Sequence, residues 1–142
     1  MLNAIVAPAI VFAVIVIVHE GGHFLMAKLT GMKVDEFAVG FGPKIASFRR
    51  GETLYSLRVI PLGGYNKIAG MNRGDLDDPR AFRQRPAWAK LLVIAGGALF
   101  NILLAFFIFT AIFSVNGIHT FKDVPVAGSV LEESSAARAG IK

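Results

Sequence analysis

The chain has 142 residues, enough for one ordinary domain, and is 54% hydrophobic with a mean hydropathy of +0.58, too apolar for a soluble domain of that size. Its formal net charge is +5, but the basic residues cluster on no recognisable nucleic-acid-binding module, so nucleic acid is excluded as a partner. There is no cysteine, which excludes disulfides, a thiol nucleophile and thiolate metal ligands.

The first apolar block runs from about Ala4 to Ala27 and is uncharged through Val18. About 24 residues make ~36 Å of helix, enough to cross a bilayer. No Lys or Arg precedes the block, and the small-residue run Ala7-Pro8-Ala9 lies ahead of its core. A retained membrane helix over about 4–28 is therefore expected rather than a cleaved signal peptide. Thr30-Gly31 supplies its stop. Residues 36–43 (EFAVGFGP) are apolar with glycines and a proline. Short strands are expected at 45–48 and 53–60, around a turn at RRGE. Alternation places Thr53, Tyr55, Leu57 and Val59 on one face and Ser56 and Arg58 on the other. PLGGY at 61–65 is expected to break the strand.

Residues 72–86 form the most polar stretch, an exposed loop with a short helix after Asp78-Pro79. Pro86 suits the first turn of a second long helix. Its apolar part, Leu91 to Val115, carries no charge and is also long enough to span. AGGALFN at 95–101 is rich in small residues that let a neighbouring helix pack closely. Asn101 is the one strongly polar side chain there. After Asn116-Gly117 the composition changes to a short apolar piece and the polar start of a helix. The expected fold class is therefore membrane α-helical with a small β element. Two transmembrane helices (about 4–28 and 87–115) flank a β-hairpin loop (29–86), and residues 118–142 begin a further, incomplete domain. Residues 28–90 hold 12 of the 15 Lys and Arg. Basic loops stay inside, so this loop is expected in the cytoplasm and the C-terminal segment outside.

One stretch stands out. VIVHEGGHFLMAK, Val16 to Lys28, sets His19, Glu20 and His23 inside the apolar run. Ionisable groups are costly there and point to function. If the helix leaves the bilayer near Lys28, His19 lies about 13 Å deep and His23 about 7 Å, depths that demand a water-filled pocket. His19-Glu20-Gly21-Gly22-His23 matches H-E-x-x-H. Four residues make about one helical turn, so both imidazoles share a face and can reach one metal ion. Zinc suits this donor set, and Glu20 can act as the general base of amide hydrolysis. Helix packing by polar side chains is the plainer alternative. Gly21 and Gly22 cost roughly 1 kcal/mol each in a helix interior. Close approach of a substrate backbone and tight helix packing both account for them.

These motifs carry a resemblance. HEGGHFLMAKLTGMKVDEFAVGFGPKI, PLGGYNKIAG, RQRPAW and AGGALFNILLAF together resemble the site-2 protease family of intramembrane zinc metalloproteases. Closest is the bacterial regulator-of-sigma-factor (RseP-like) branch. The resemblance implies Zn2+ held by His19 and His23, with Glu20 as catalytic base. It implies that Glu36 to Ala69 is a membrane-associated hairpin and edge receiving an extended substrate, since a peptide bond must be unwound before it is cut. It implies single-pass membrane protein substrates such as anti-sigma factors, a bacterial inner or plasma membrane location, and a PDZ-like identity for residues 118–142. Asn101 matches an asparagine of the family's second-helix pattern and is a candidate substrate-binding residue. The family's third zinc ligand is an aspartate in a Leu-Asp-Gly motif on a later helix, which this sequence does not contain. The chain is thus expected to be an incomplete N-terminal portion, inactive alone. Two rivals are a non-catalytic scaffold binding peptides through the PDZ-like domain and a metal transporter. The scaffold needs neither His19 nor Glu20, and the transporter needs more intramembrane polar groups than Asn101, Thr110 and Ser114 supply.

Overall fold

The computed structural model describes residues 2–72, 77–117 and 129–140. The first unit, Met1–Phe109, begins with α1, Leu2–Leu29, unbroken through the His-Glu-x-x-His stretch. Gly31, at φ 72°, ends it. The Met32 N–H donates to Ala27 O at 2.8 Å and the Gly31 N–H to Lys28 O at 3.0 Å. This pair of backward bonds satisfies helix-end carbonyls, and only glycine adopts the left-handed turn without strain.

Two long strands follow, β1 (Val34–Arg50) and β2 (Thr53–Ile68), joined by a tight turn at Gly51-Glu52. The turn is where RRGE predicted it. The strands are much longer than 45–48 and 53–60, and PLGGY lies inside β2 instead of ending it. The reason is that each strand bends and pairs twice. Residues 44–50 pair with 53–58 in opposite directions, as a hairpin does. Residues 36–39 pair with 54–57 in the same direction and with 64–67 in the opposite one. The result is four rows in the order 44–50, 53–60, 34–41, 64–68. Gly40, Gly42 and Gly63, at φ of 89°, 83° and 123°, carry the bends between rows. A Cβ at Gly40 would lie 2.6 Å from Ile60 O, so the bend there also needs the missing side chain.

Glu36 locks the rows together. It accepts from Ser56 Oγ at 2.7 Å and Arg58 Nη2 at 2.9 Å, while Lys44 Nζ stands 3.7 Å away. Arg58 also donates to Tyr65 Oη at 2.5 Å. Each of the four rows thus contributes a side chain. Burial pushes the Glu36 carboxyl up, but the hydrogen bonds from Ser56, Arg58 and Tyr65 outweigh it and bring the group down to about 2. Ser56 and Arg58 share a face, as alternation predicted.

The core sits where the strands meet the helix ends. Ala27, Met32, Val34, Ile68, Ala89 and Val93 are buried together, with Phe24, Met26 and Phe82 packed on them. Phe24 reaches the sheet through Phe37, with ring centroids 5.2 Å apart. Outside this knot the helices are bare: Ile5, Ile10, Val11, Phe12 and Ile17 on α1 and Leu91, Ile94, Ile102 and Phe106 on α2 are all exposed. A lipid phase covers such side chains at no cost, whereas water does not.

The short helix expected after Asp78-Pro79 is a single 3-10 turn, Phe82–Gln84. Pro86 lies just outside α2, Ala87–Asn116, and its carbonyl accepts the first helical bonds from Ala89 and Lys90. Both α1 and α2 are long and apolar enough to cross a membrane, over Ala4–Leu29 and Ala87–Asn116. The second unit is Thr110–Lys142. Its short helix α3, Ser135–Arg138, is capped by Ser134, whose Oγ accepts from the Ala137 N–H at 3.2 Å. The helix start expected there is present. The apolar piece expected before it, and His119, lie outside the described residues.

Candidate metal centre

An unbroken α1 puts His19 and His23 one turn apart, and the structure brings their rings together. The Nε2 atoms are 3.2 Å apart and the rings stand edge to face, with centroids at 4.7 Å. His23 Nδ1 is 2.6 Å from Val93 O. A carbonyl only accepts, so Nδ1 carries the proton and Nε2 presents a lone pair. His19 Nδ1 is 3.2 Å from the side-chain amide of Asn101. Both rings are therefore held from α2 by their Nδ1 edges.

Glycines make the space. A Cβ on Gly97 would lie 2.5 Å from His23 Nε2 and 2.7 Å from His19 Nε2. Gly22 and Gly96 face one another: a Cβ on Gly22 would meet Gly96 O at 2.4 Å. Gly21 has nothing within 4 Å of its Cβ direction. The two adjacent glycines thus divide the two explanations between them. Gly22 is there for helix packing, and Gly21 leaves bare surface.

The residues fit a zinc ion. Tetrahedral zinc, with bonds of ~2.0–2.1 Å, sets two ligand nitrogens about 3.4 Å apart. The observed 3.2 Å separation is close to that. Hydrogen-bonded Nδ1 edges with free Nε2 atoms are the usual arrangement around metal-ligating histidines. Among the described residues, no third His, Cys, Asp or Glu joins them. Asp35 and Asp78 pair with Lys33 instead, at 3.4 and 3.5 Å.

Glu20 points toward the sheet. It shares a cleft of about 200 Å³ with His23, Gly64, Tyr65, Asn66, Ile68, Met71 and Val93. Its Oε2 accepts from Asn66 Nδ2 at 2.8 Å. Asn66 is a site residue that sequence reasoning missed. Its only mark was an amide in an edge strand beside apolar and glycine positions. A larger hollow of about 420 Å³ lies between Ile17 and Phe37, Phe48 and Tyr55, but it is almost wholly apolar. It offers acyl chains a surface and no acid or base. Asn101, the candidate substrate-binding residue, lies against His19.

A helix carrying His-Glu-x-x-His inside an apolar span thus stands against a second apolar helix and a sheet edge. Residues 7–139 match peptidase family M50. The chain belongs to that family, the site-2 proteases. A candidate zinc metalloprotease of Clostridium acetobutylicum is 38% identical over 138 residues, which cover 97% of this chain and 39% of the relative. A candidate zinc metalloprotease of Thermotoga maritima is 38% identical over 136 residues, 89% of this chain and 26% of that one. The zinc metalloprotease RasP of Oceanobacillus iheyensis is 47% identical over 85 residues, 60% of this chain and 19% of its own length. The chain spans 39% of the first of these relatives and less of the other two.

Proposed function

We propose that this chain forms the zinc-binding helix pair and substrate edge of an intramembrane endopeptidase. The whole protein would cut single-pass membrane proteins, of the anti-sigma-factor kind, within or near their spans. The observation that carries the reading is the pair of Nε2 atoms 3.2 Å apart under the bare backbone of Gly97, hydrogen-bonded to each other where one metal ion would bridge them. His19 and His23 would hold the metal. When bound, zinc supplies an activated water and polarises the scissile carbonyl.

The chain's own residues do the rest. His23 is oriented by the Val93 carbonyl. His19 needs its Nδ1 protonated to free Nε2, and the Asn101 amide, turned so that Oδ1 faces it, accepts that proton's hydrogen bond. Glu20 takes a proton from the attacking water and passes it to the leaving amine. Among the described residues the row 64–68 is an edge, paired on one side only, with 34–39. Its free side can add an extended substrate as one more strand, which unwinds the peptide bond and aligns it. The core at the loop end of the helices keeps this edge beside Glu20. A third protein ligand completes a catalytic zinc site, and in the whole protein it comes from outside these described residues. The excess of Lys and Arg between the helices supports a cytoplasmic loop in a bacterial inner membrane, with the C-terminal segment outside. That segment supports a PDZ-like beginning only by its sequence pattern.

Glu20→Gln tests the reading. It should leave zinc stoichiometry unchanged and abolish cleavage of a single-span reporter. Cleavage at the parent rate by Glu20→Gln would remove Glu20 from the mechanism.

A further inference from the structure

Asn66 lies in the edge row of the sheet and reaches α1 with one end of its amide. Nδ2 is 2.8 Å from Glu20 Oε2 and 2.8 Å from the Glu20 backbone carbonyl. Both of these atoms accept and neither donates, once the carboxylate is ionised. The orientation of this amide therefore follows from its partners: the NH2 faces α1 and Oδ1 faces away. That Oδ1 is buried with no hydrogen-bond partner among the described residues. Two residues earlier, Gly64 comes so near that a Cβ there would lie 3.1 Å from Glu20 Cγ and 2.7 Å from Ala38 O. The edge row thus holds the glutamate at two points, its stem by contact and its head by a hydrogen bond.

We propose that Asn66 is a positioning residue for Glu20. It ties Oε2 to the sheet edge and leaves Oε1 as the atom that takes the proton. The inference rests on the reading of Glu20 as general base and deepens it. A free glutamate side chain keeps rotamer freedom that must be given up before it can act as an aimed base. A base must nonetheless come within ~2.6–3.2 Å of the proton it removes. An amide that bonds both the carboxylate and the helix carbonyl beneath it removes most of that freedom in advance. The same row presents the free edge to a substrate strand. Base and scissile bond are then registered by one stretch of backbone, so a strand that pairs correctly also meets a base already aimed. A purely structural Asn66 would need only the bond to the Glu20 carbonyl, which staples sheet to helix.

Asn66→Leu removes the donor while keeping the same number and branching of side-chain heavy atoms, and Asn66→Gln keeps an amide donor on a longer arm. Both are compared with the parent protein in detergent on one single-span reporter that the parent cleaves. Asn66→Leu should lower kcat by about 10- to 100-fold, the usual span for an outer-shell partner. KM and zinc stoichiometry should stay at parent values, and Asn66→Gln should recover part of the loss. Because Asn66→Leu also gives up the bond to the Glu20 carbonyl, kcat is read well below that variant's own thermal midpoint. Parent-level kcat in Asn66→Leu overturns the proposal. So does a loss that appears in KM and not in kcat. Glu20→Gln is assayed alongside. If it still cleaves, the base assignment fails first. If it is dead while Asn66→Leu is fully active, only the positioning role fails. A readout independent of turnover is the infrared carboxylate stretch of Glu20 in the zinc-free protein, identified by its loss in Glu20→Gln. It should shift in Asn66→Leu, and an unmoved band overturns the proposal.

Discussion

The two sides of α1 are built on opposite plans. The side carrying His19, Gly22 and His23 meets α2 almost without side chains: Gly96, Gly97 and the Val93 carbonyl form the wall. The side carrying Glu20 and Phe24 meets the sheet through an amide and aromatic rings. A metal site needs ligand atoms within tenths of an ångström, and backbone against backbone is the stiffest way to hold them. A general base needs aim, and a side-chain hydrogen bond is enough for that. The metal side should therefore tolerate no added atom, while the base side should respond to chemistry more than to volume.

The hardest blow to that contrast is Gly97→Ala. Its new methyl group would occupy the space 2.5 Å from His23 Nε2. Zinc affinity should fall on the order of 100-fold, the upper end for disturbing a ligand's surroundings, as read by competition with a chromophoric chelator. Parent-like affinity would mean that the metal side is softer than its glycines imply. Asn101→Leu should do less, about a 10-fold loss of affinity, because His19 loses its orienting partner and keeps its place. An isothermal titration that shows no loss would leave the Asn101 amide a bystander. The smallest effect belongs to Gly21→Ala, whose methyl group meets nothing within 4 Å. It should raise the thermal stability by up to ~1 kcal/mol through helix propensity alone. KM for the reporter should rise at the same time if a substrate backbone passes over this bare surface. A lowered thermal midpoint would show that Gly21, like Gly22, packs against a neighbour.

How much of this was readable beforehand depends on distance along the chain. α1, α2 and the turn at Gly51-Glu52 follow from runs of apolar residues and local turn chemistry, and all three formed where expected. The strand lengths did not follow. Alternation is lost at Gly40, Gly42 and Gly63, where the backbone takes positive φ and the rows bend. Nor does any local pattern reveal that 36–39 pairs with 54–57 in the same direction. The site divides likewise. His19, Glu20 and His23 sit within five residues and announce themselves by spacing, and Asn101 is conspicuous as an amide in an apolar span. Its partner was not conspicuous: His19 lies 82 positions away. Asn66 lies 46 positions from Glu20, in a strand where an amide is unremarkable until the edge is known to touch the helix.

Those separations have a meaning for the chain as it is made. The polar triad of α1 leaves the ribosome before every group that satisfies it. Glu20 waits for Asn66, His23 for Val93 and His19 for Asn101, at 46, 70 and 82 residues downstream. At ~5–20 residues per second the last of these arrives about 4–16 s later. Through that interval the helix carries a carboxyl without its amide and two imidazoles bonded only to each other, which the bilayer interior resists. Burial of this helix face in lipid is therefore least costly once Asn66, Val93 and Asn101 have all been made.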